Sequence, residues 1–179
     1  MTSFSQVTID NSTTAGAPGV STRTWSHQTL GSNRLMIVGV ACRSSRTVSS
    51  VTYNGDPLTI QTNVLRNGMR TTFAWIVDPD LGTHNVVVTL SGTADMYCGA
   101  VTYNGVDPVT PFGTFVTANG KSTTASVTAT SAAGELAVDV LGTIAANPTV
   151  GAGQTQRYES AGSTYSSSST EPGAASVVL

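Results

Sequence analysis

Apolar and polar residues alternate along nearly the whole chain, and this period of two residues limits the fold more than any other feature. Side chains on a β-strand point alternately to its two faces, so the alternation predicts strands with one buried face. No window of about a dozen residues shows the spacing of an amphipathic helix. Turn-forming Gly, Pro, Asn and Ser separate the alternating stretches. We therefore predict an all-β chain.

The predicted strands are short and numerous, and they cover most of the 179 residues. They are Phe4 to Ile9, Thr22 to Thr29, Arg34 to Cys42, Val48 to Tyr53, Thr71 to Val77, His84 to Leu90, Met96 to Tyr103, Gly113 to Thr117, Ala125 to Thr130, Glu135 to Leu141, Thr155 to Glu159 and Ala174 to Leu179. Such a series favours a two-sheet antiparallel β-sandwich of the jelly-roll-like kind, formed by residues 1–179 as a single domain. Leu35 to Cys42 is apolar on both faces, which predicts a central strand covered on both sides.

Charged residues make up only 10% of the chain, against about 25% in an average soluble domain. The net charge is -2, and the eight basic residues are scattered along the sequence, so we expect no nucleic-acid partner. The longest apolar run, Leu35 to Cys42, is far shorter than the roughly 20 residues of a membrane-spanning helix, so we expect no membrane partner. Met1 to Gln6 lack the basic and apolar regions of a secretory signal, and we expect none in the chain.

Residues that could carry catalysis are few. The chain has two histidines and no Gly-x-Ser-x-Gly turn, which argues against a hydrolase triad. Glu135 and Asp139 are the closest carboxylate pair on one predicted strand face, but at about 3.3 Å per residue they stand roughly 13 Å apart. We interpret both as solvated acids and Asp78-Pro79-Asp80 as a turn. We therefore predict no catalytic residue, no cofactor and no metal site, and a protein that is not an enzyme.

The two cysteines, Cys42 and Cys98, lie near the ends of predicted strands. They are either two buried thiols or one disulfide bridge, and a bridge would indicate an oxidising setting.

The pentapeptide Val-Thr-Tyr-Asn-Gly occurs twice, at 51–55 and at 101–105. Asn-Gly favours a tight turn with positive φ, so each copy predicts a strand that ends in a turn. Tyr53 and Tyr103 stand just before these turns. Their rings either cover a sheet edge or present a platform on which a glycan stacks.

Both ends of the chain are candidates for contacts with other chains. The Ser-rich stretch 160–172 predicts a flexible loop, and it leads into an apolar last strand. The N-terminal strand 4–9 is a candidate for exchange with a neighbour, because the Thr/Gly/Pro-rich stretch 11–21 follows it. The candidate assembly residues are Phe4, Val7, Ile9, Val177, Val178 and Leu179.

Several strand and turn segments together resemble a poorly characterised group of jelly-roll-like β-sandwich proteins and domains of bacterial and phage genomes. The segments that carry this resemblance are Asn33 to Val40, Val51 to Gly55, Gly82 to Gly92, Gly99 to Pro108 and Gly134 to Val140. In that group a Trp-containing hairpin usually follows the Glu-Pro-Gly segment, here Glu171 to Gly173, and closes the sandwich. No such hairpin follows here, so the resemblance implies either a truncated chain or a sandwich left open for a strand donated by another chain.

The expected function is that of a non-enzymatic structural subunit of a particle or extracellular assembly. A phage virion protein is the favoured kind, as a capsid decoration, fibre or tail component joined through β-strand contacts. The partners would be copies of the chain or other structural proteins of the same particle, and the location would be the virion or the extracellular assembly. The alternative is a carbohydrate-binding β-sandwich module that uses Tyr53 and Tyr103.

Overall fold

The computed structural model describes residues 6–144 and 147–179, and within them the chain forms β-strands and no helix. All strand pairs in this part are antiparallel, so the predicted all-β, antiparallel class is confirmed. The strands are β1 (Thr8–Thr29), β2 (Leu35–Arg43), β3 (Val48–Tyr53), β4 (Asp56–Pro57), β5 (Thr59–Arg66), β6 (Met69–Val77), β7 (Gly82–Asn104), β8 (Thr128–Ala129), β9 (Leu136–Val138), β10 (Leu141–Thr143), β11 (Thr155–Ala161), β12 (Tyr165–Pro172) and β13 (Val177–Val178).

The longest strand, β7, is bent and belongs to two walls of one sheet. Residues 82–90 of β7 lie between β1 and β3, whereas residues 95–103 lie between β1 and β2. β1 bends beside β7, with register shifts between Ala17 and Thr22. Gly19 takes a φ of 60° at this bend, a conformation that suits glycine, and its N–H donates to Asp95 Oδ1 at 2.9 Å.

The bend brings the two walls of this main sheet face to face around a first core. One wall has the order β5-β6-β2-β7 and the other the order β4-β3-β7, and β1 runs along both. Met36 and Val38 of the first wall are fully buried in this core, as are Val86 and Val88 of the second wall. One folded sheet thus supplies both sides of a sandwich, and the predicted arrangement of two separate sheets is not confirmed.

Side chains at the start of β1 close one side of this sheet. The Asp10 carboxylate accepts a hydrogen bond from the Leu30 N–H at 2.7 Å. The Asn11 side-chain amide donates to the Gln28 carbonyl at 3.0 Å. These two contacts join the first half of β1 to its second half, so the sheet is nearly closed on that side.

A second sheet packs on the outer face of β2 and forms a third layer. It consists of β12 in the centre, with β11 on one side and β9 and β10 on the other. Leu35 and Ile37 of β2 meet Val138 and Val140 in the second core, between the two sheets. All residues from Leu35 to Cys42 are buried, which confirms the prediction of a central strand covered on both sides.

Two glycines allow this second sheet to approach closely. Gly39 and Gly99 are cross-strand partners on β2 and β7, and the Tyr158 ring lies over both. A Cβ atom on Gly99 would stand 2.5 Å from that ring, and one on Gly39 would overlap its hydroxyl. The Tyr158 hydroxyl in turn lies 3.1 Å from Ser166 Oγ on β12.

The main sheet has two opposite ends, here called the bend end and the far end. The bend end comprises residues 17–22, 43–48, 66–70, 90–95 and the adjoining residues 161–164 of the second sheet, held together by contacts such as Ser91 N–H to Thr47 O. The far end comprises residue 10 and residues 30–34, 54–57, 78–82 and 104–107.

The Ser-rich stretch 160–172 is not the predicted loop, because residues 165–172 form β12. Ser166 to Thr170 are buried between two neighbouring strands. A small hydroxyl side chain can be buried when it finds a hydrogen-bond partner, and Ser168 Oγ donates to the Asp139 carbonyl at 2.7 Å. The composition that suggested flexibility is here the composition of a central strand.

Two further differences concern strand positions. β5 was not among the predicted strands, although it forms an edge of the main sheet. Conversely, residues 113–117 form no strand, and only residues 128–129 of the predicted strand 125–130 do so. The Asn54-Gly55 turn has positive φ at both residues, as predicted, whereas in the second copy of the pentapeptide only Gly105 has it.

Candidate functional site

The candidate assembly residues at the C-terminus are largely used within the chain. Val177 and Val178 form β13, which pairs with β8, and the Leu179 and Val127 backbones exchange two hydrogen bonds of 2.8 and 2.9 Å. Val177 and Leu179 are buried beside Ala137, while Val178 is exposed. A neighbour would reach only Val178 without displacing this strand.

The candidate residues at the N-terminus are also packed, where the structure describes them. Val7 and Ile9 are half-buried against the second core, and Ile9 pairs with Tyr103 in the register of β1 and β7. Phe4 lies outside the described residues. An exchange of strand 4–9 would therefore require β1 to leave its place on its own β7.

Tyr53 is not the glycan platform considered from the sequence, because it is fully buried. Its hydroxyl donates to the Gly82 carbonyl at 2.9 Å and lies 3.2 Å from the His27 carbonyl. Its ring packs edge-on against His84, with 5.6 Å between the ring centroids. Burial raises the pKa of Tyr53. The side chain holds the far end of the first core together.

Tyr103 is not a surface platform either. Only 1% of it is exposed, and its ring belongs to the second core with Leu35 and Tyr158. Burial raises the pKa of Tyr103. Both tyrosines thus take the packing role, and neither presents a ring face on which a sugar could stack.

His27 is buried and is held by two threonines. Its Nδ1 lies 2.7 Å from Thr13 Oγ1, and its Nε2 lies 2.7 Å from Thr102 Oγ1. The Trp25 indole N–H donates to the same Thr13 oxygen at 2.9 Å, which leaves the Thr13 hydroxyl free to donate to Nδ1. Burial lowers the pKa of His27 to about 4, so the ring is neutral near pH 7. This network joins β1 to β7 and uses both ring nitrogens.

Asp139 departs from its predicted place on the solvent side. Its carboxylate accepts the Ser169 N–H at 2.6 Å, and burial raises its pKa. Glu135, in contrast, is exposed, and its carboxylate accepts hydrogen bonds from Ser131 and Ala132. Asp139 therefore belongs to the second sheet's own hydrogen bonds, in the break between β9 and β10.

Cys42 and Cys98 are free thiols, both buried in the first core. Burial raises the pKa of Cys98 to about 12 and also raises that of Cys42. The thiols are therefore protonated and inert near neutral pH. Of the two readings that the sequence left open, the structure has the unbridged one.

The least expected feature is a long irregular segment, residues 107–126, here called the arm, which has no strand partner in the described chain and bends at 108–110, 121 and 123–124. No backbone-to-backbone hydrogen bond of the arm occurs within the described chain. Its first residues are held locally, since the Asp107 carboxylate accepts the Val109 N–H at 2.9 Å and the Thr110 hydroxyl at 2.7 Å. Residues 116–126 are all exposed. The arm thus offers backbone donors and acceptors to solvent over many consecutive residues.

Two phenylalanines attach the arm to the main sheet. Phe112 and Phe115 stand 4.9 Å apart, centroid to centroid, and both pack edge-on against Phe73 of β6. Phe112 also contacts Trp75, with 5.2 Å between the centroids. Edge-to-face aromatic pairs of this kind add about 0.5–1.5 kcal/mol to the burial of the rings. The arm is therefore fixed to the main sheet at Phe112 and Phe115, in its first half.

A cleft of about 1940 Å³ opens between the arm, β5 and β6 of the main sheet and the second sheet. Ile37, Phe73 and Val138 contribute apolar surface to it, while Arg66 and Asn119 join across its rim at 3.1 Å. Its size exceeds that of typical small-molecule pockets, which hold about 300–1,000 Å³.

Neither a metal centre nor a membrane helix stands out in this structure. The part of the chain that the structure describes has no group of three His, Cys, Asp or Glu side chains placed to bind a metal. In that same part no helix is long and apolar enough to span a bilayer.

Comparison with known proteins gives no further assignment. No protein-family model matches the sequence, and no curated protein and no solved structure gives a significant match.

Proposed function

We propose that this chain is a non-enzymatic structural subunit, which assembles with copies of itself or with other structural proteins through β-strand contacts made by the arm. The observation that carries this proposal is the arm's unpaired backbone. Over residues 116–126 it is exposed and free of strand partners in the described chain. Strand addition satisfies such backbone groups and gives affinity through main-chain hydrogen bonds.

The sequence of the arm supports a strand that forms on contact. Gly113 to Thr117 and Ala125 to Thr130 have the residue pattern of strands, with Thr and Val that pack well on a pleated sheet. Within the described chain only residues 127–129 of these segments have backbone partners, in β13 and Leu179. A neighbouring strand laid along the arm would supply the missing hydrogen bonds.

The type of particle rests on the resemblance noted from the sequence. That resemblance is to jelly-roll-like sandwich proteins of bacterial and phage genomes, and the two facing walls of the main sheet have a comparable layered plan. We place the subunit in a virion, as a capsid decoration, fibre or tail component, or in an extracellular assembly. The carbohydrate-binding alternative loses its two proposed platforms, Tyr53 and Tyr103, and no other feature favours it.

Hydrogen exchange on the full-length protein tests the proposal. In a dilute sample the arm amides of residues 113–126 should exchange fast. In a concentrated sample they should slow by about tenfold or more, which corresponds to about 1.4 kcal/mol of protection.

A proline variant of the arm provides the specific test. Ala118→Pro with Ala125→Pro removes two arm N–H groups that have no partner in the monomer, so the fold should keep its stability while the concentration effect disappears. Ala152→Pro is the matched control, because it stands second in the Gly151–Gln154 turn, a position that accepts proline. Arm amides that exchange equally fast at all concentrations would refute the proposal.

A further inference from the structure

The fold brings four arginines together that lie apart in the sequence. Arg43 ends β2, Arg66 ends β5 and Arg70 is the second residue of β6, while Arg46 follows in the turn after β2. Arg43 and Arg66 both take Met69 as their cross-strand partner, from its two sides. Neighbouring strands lie about 4.8 Å apart, so these two Cα atoms are roughly 10 Å apart.

These arginines have neutral hydrogen-bond partners. Arg43 donates to the Ser163 carbonyl at 3.2 Å, Arg66 to the Asn119 side chain at 3.1 Å and Arg70 to the Arg46 carbonyl at 2.9 Å. Within the described chain the one ion pair is Arg34–Asp78, which lies at the other end. Asp95 is the only carboxylate of the bend end, so four arginines against one aspartate leave this end with a net charge of plus three.

The far end has the opposite charge. Its charged residues are five aspartates and one arginine, namely Asp10, Asp56, Asp78, Asp80, Asp107 and Arg34, which give a net charge of minus four. Asp56, Asp78 and Asp80 are exposed. Only Asp78 is neutralised, by its ion pair with Arg34. The overall charge of -2 therefore conceals two ends of opposite sign.

The two ends are too far apart to neutralise each other within one molecule. β2 runs from one end to the other with nine residues, which spans about 30 Å at about 3.3 Å per residue. The Debye length at physiological salt is about 8 Å, so each end is screened from the other. Each end can be matched only by the opposite end of another molecule, because contacts between like ends are repulsive.

We propose that copies of this chain associate head to tail, with the basic bend end of one copy against the acidic far end of the next. This inference rests on the self-assembly proposed above and gives it a direction. A contact between two different surfaces repeats from copy to copy, and it produces an open filament or a closed ring. The arm meets the bend end at the Arg66–Asn119 hydrogen bond and the far end at Asp107, so substitutions that leave these residues in place can remove the end-to-end contact separately.

Charge reversal at one end at a time tests the proposal by light scattering. Arg43→Glu with Arg46→Glu makes both ends negative, and Asp56→Lys with Asp80→Lys removes the net charge of the far end. Each variant alone should lose its end-to-end contact. When both variants also carry Ala118→Pro with Ala125→Pro, which removes the arm contact, an equimolar mixture should form one-to-one pairs with twice the mass of 18.3 kDa and grow no further, because only one pair of ends still matches.

Controls separate this contact from assembly in general. Thr24→Glu with Ser26→Glu adds two negative charges at exposed positions of β1 between the bend end and the far end, and should leave the association unchanged. In the chain that carries Ala118→Pro with Ala125→Pro, end-to-end association should be strong at about 0.01 M salt and lost at about 1 M, where the Debye length falls from about 30 Å to about 3 Å.

Three results would overturn the inference. If both reversed variants associate as the wild type does, the head-to-tail contact is wrong while arm-mediated assembly stands. If the wild type is monomeric in every condition, both proposals fail. If the mixture forms no pairs but the wild type binds an added acidic polymer such as heparin, the basic end is instead a binding site for polyanions.

Discussion

At the scale of single residues, the polar groups that looked available for chemistry are used to hold the fold. His27 and Tyr53 are both buried, and each bonds to groups on neighbouring strands. The sequence indicated which residues were polar and where they stood on their strands. It could not show that β1 folds back on itself, and it is this fold that places Thr13 and His27 in contact.

The neutral His27 predicts a dependence of stability on pH. Its pKa is lowered by burial from 6.5 to about 4, so between these pH values His27 binds a proton in the unfolded chain and not in the folded chain. Stability should fall as the pH drops from about 6.5 to about 4, by on the order of 3 kcal/mol, and level off for this group below that range.

Urea unfolding at pH 7 and pH 4.5 measures this effect. His27→Gln should be less stable at pH 7 but should lose much less on acidification than the wild type, while His84→Gln should follow the wild type. The difference in pH dependence between the wild type and His27→Gln separates the effect of His27 from that of carboxylates such as Asp139, whose raised pKa acts in the opposite direction. Equal pH dependence in both chains would contradict this account.

Because the Tyr158 ring packs directly on two glycines, one methyl group added at either glycine should strongly lower the stability of the fold. Gly99→Ala should lower the free energy of unfolding by about 1–3 kcal/mol, because the new Cβ meets the centre of a buried ring. Gly113→Ala, which meets nothing within 4 Å, is the control. In denaturant unfolding the cost of Gly99→Ala should shrink when Tyr158→Ala is present, and an unchanged cost would show that the ring is not the cause.

At the scale of elements, strands with apolar faces were predictable and polar ones were not. β2, β6 and most of β7 follow from their apolar alternation. β12 did not, because four consecutive serines have no apolar face to count, and its assignment depends on the hydrogen bonds that bury them. The arm shows the reverse: its residues have a strand pattern, yet the described chain offers no strand to pair with most of them.

The strand assignment of β12 can be tested with one proline. Ser168 lies in the middle of β12, between β11 on one side and β9 and β10 on the other. Ser168→Pro should therefore lower the free energy of unfolding by about 3 kcal/mol or more, because it removes a ladder hydrogen bond from a central strand. Ala152→Pro is the control, and the melting temperature is the measurement. If Ser168→Pro leaves the stability unchanged, the stretch 160–172 is the flexible loop that the composition suggested and not a central strand.

At the scale of the whole molecule, the arrangement of charge is a property of the fold and not of the composition. Arg43, Arg46, Arg66 and Arg70 are scattered in sequence, and the net charge of -2 gives no sign of asymmetry. Antiparallel pairing places the turn after β2 beside the turn between β5 and β6, and this neighbourhood concentrates the arginines at one end. The sequence alone therefore does not show the charge asymmetry, because finding it requires the strand order.

The central claim is that this chain assembles with copies of itself, and light scattering coupled to size exclusion tests it most directly. We predict for the purified wild type at low salt a mass that exceeds 18.3 kDa, rises with protein concentration and falls towards the monomer as salt is added. A mass of 18.3 kDa at every concentration and every salt level would contradict the account.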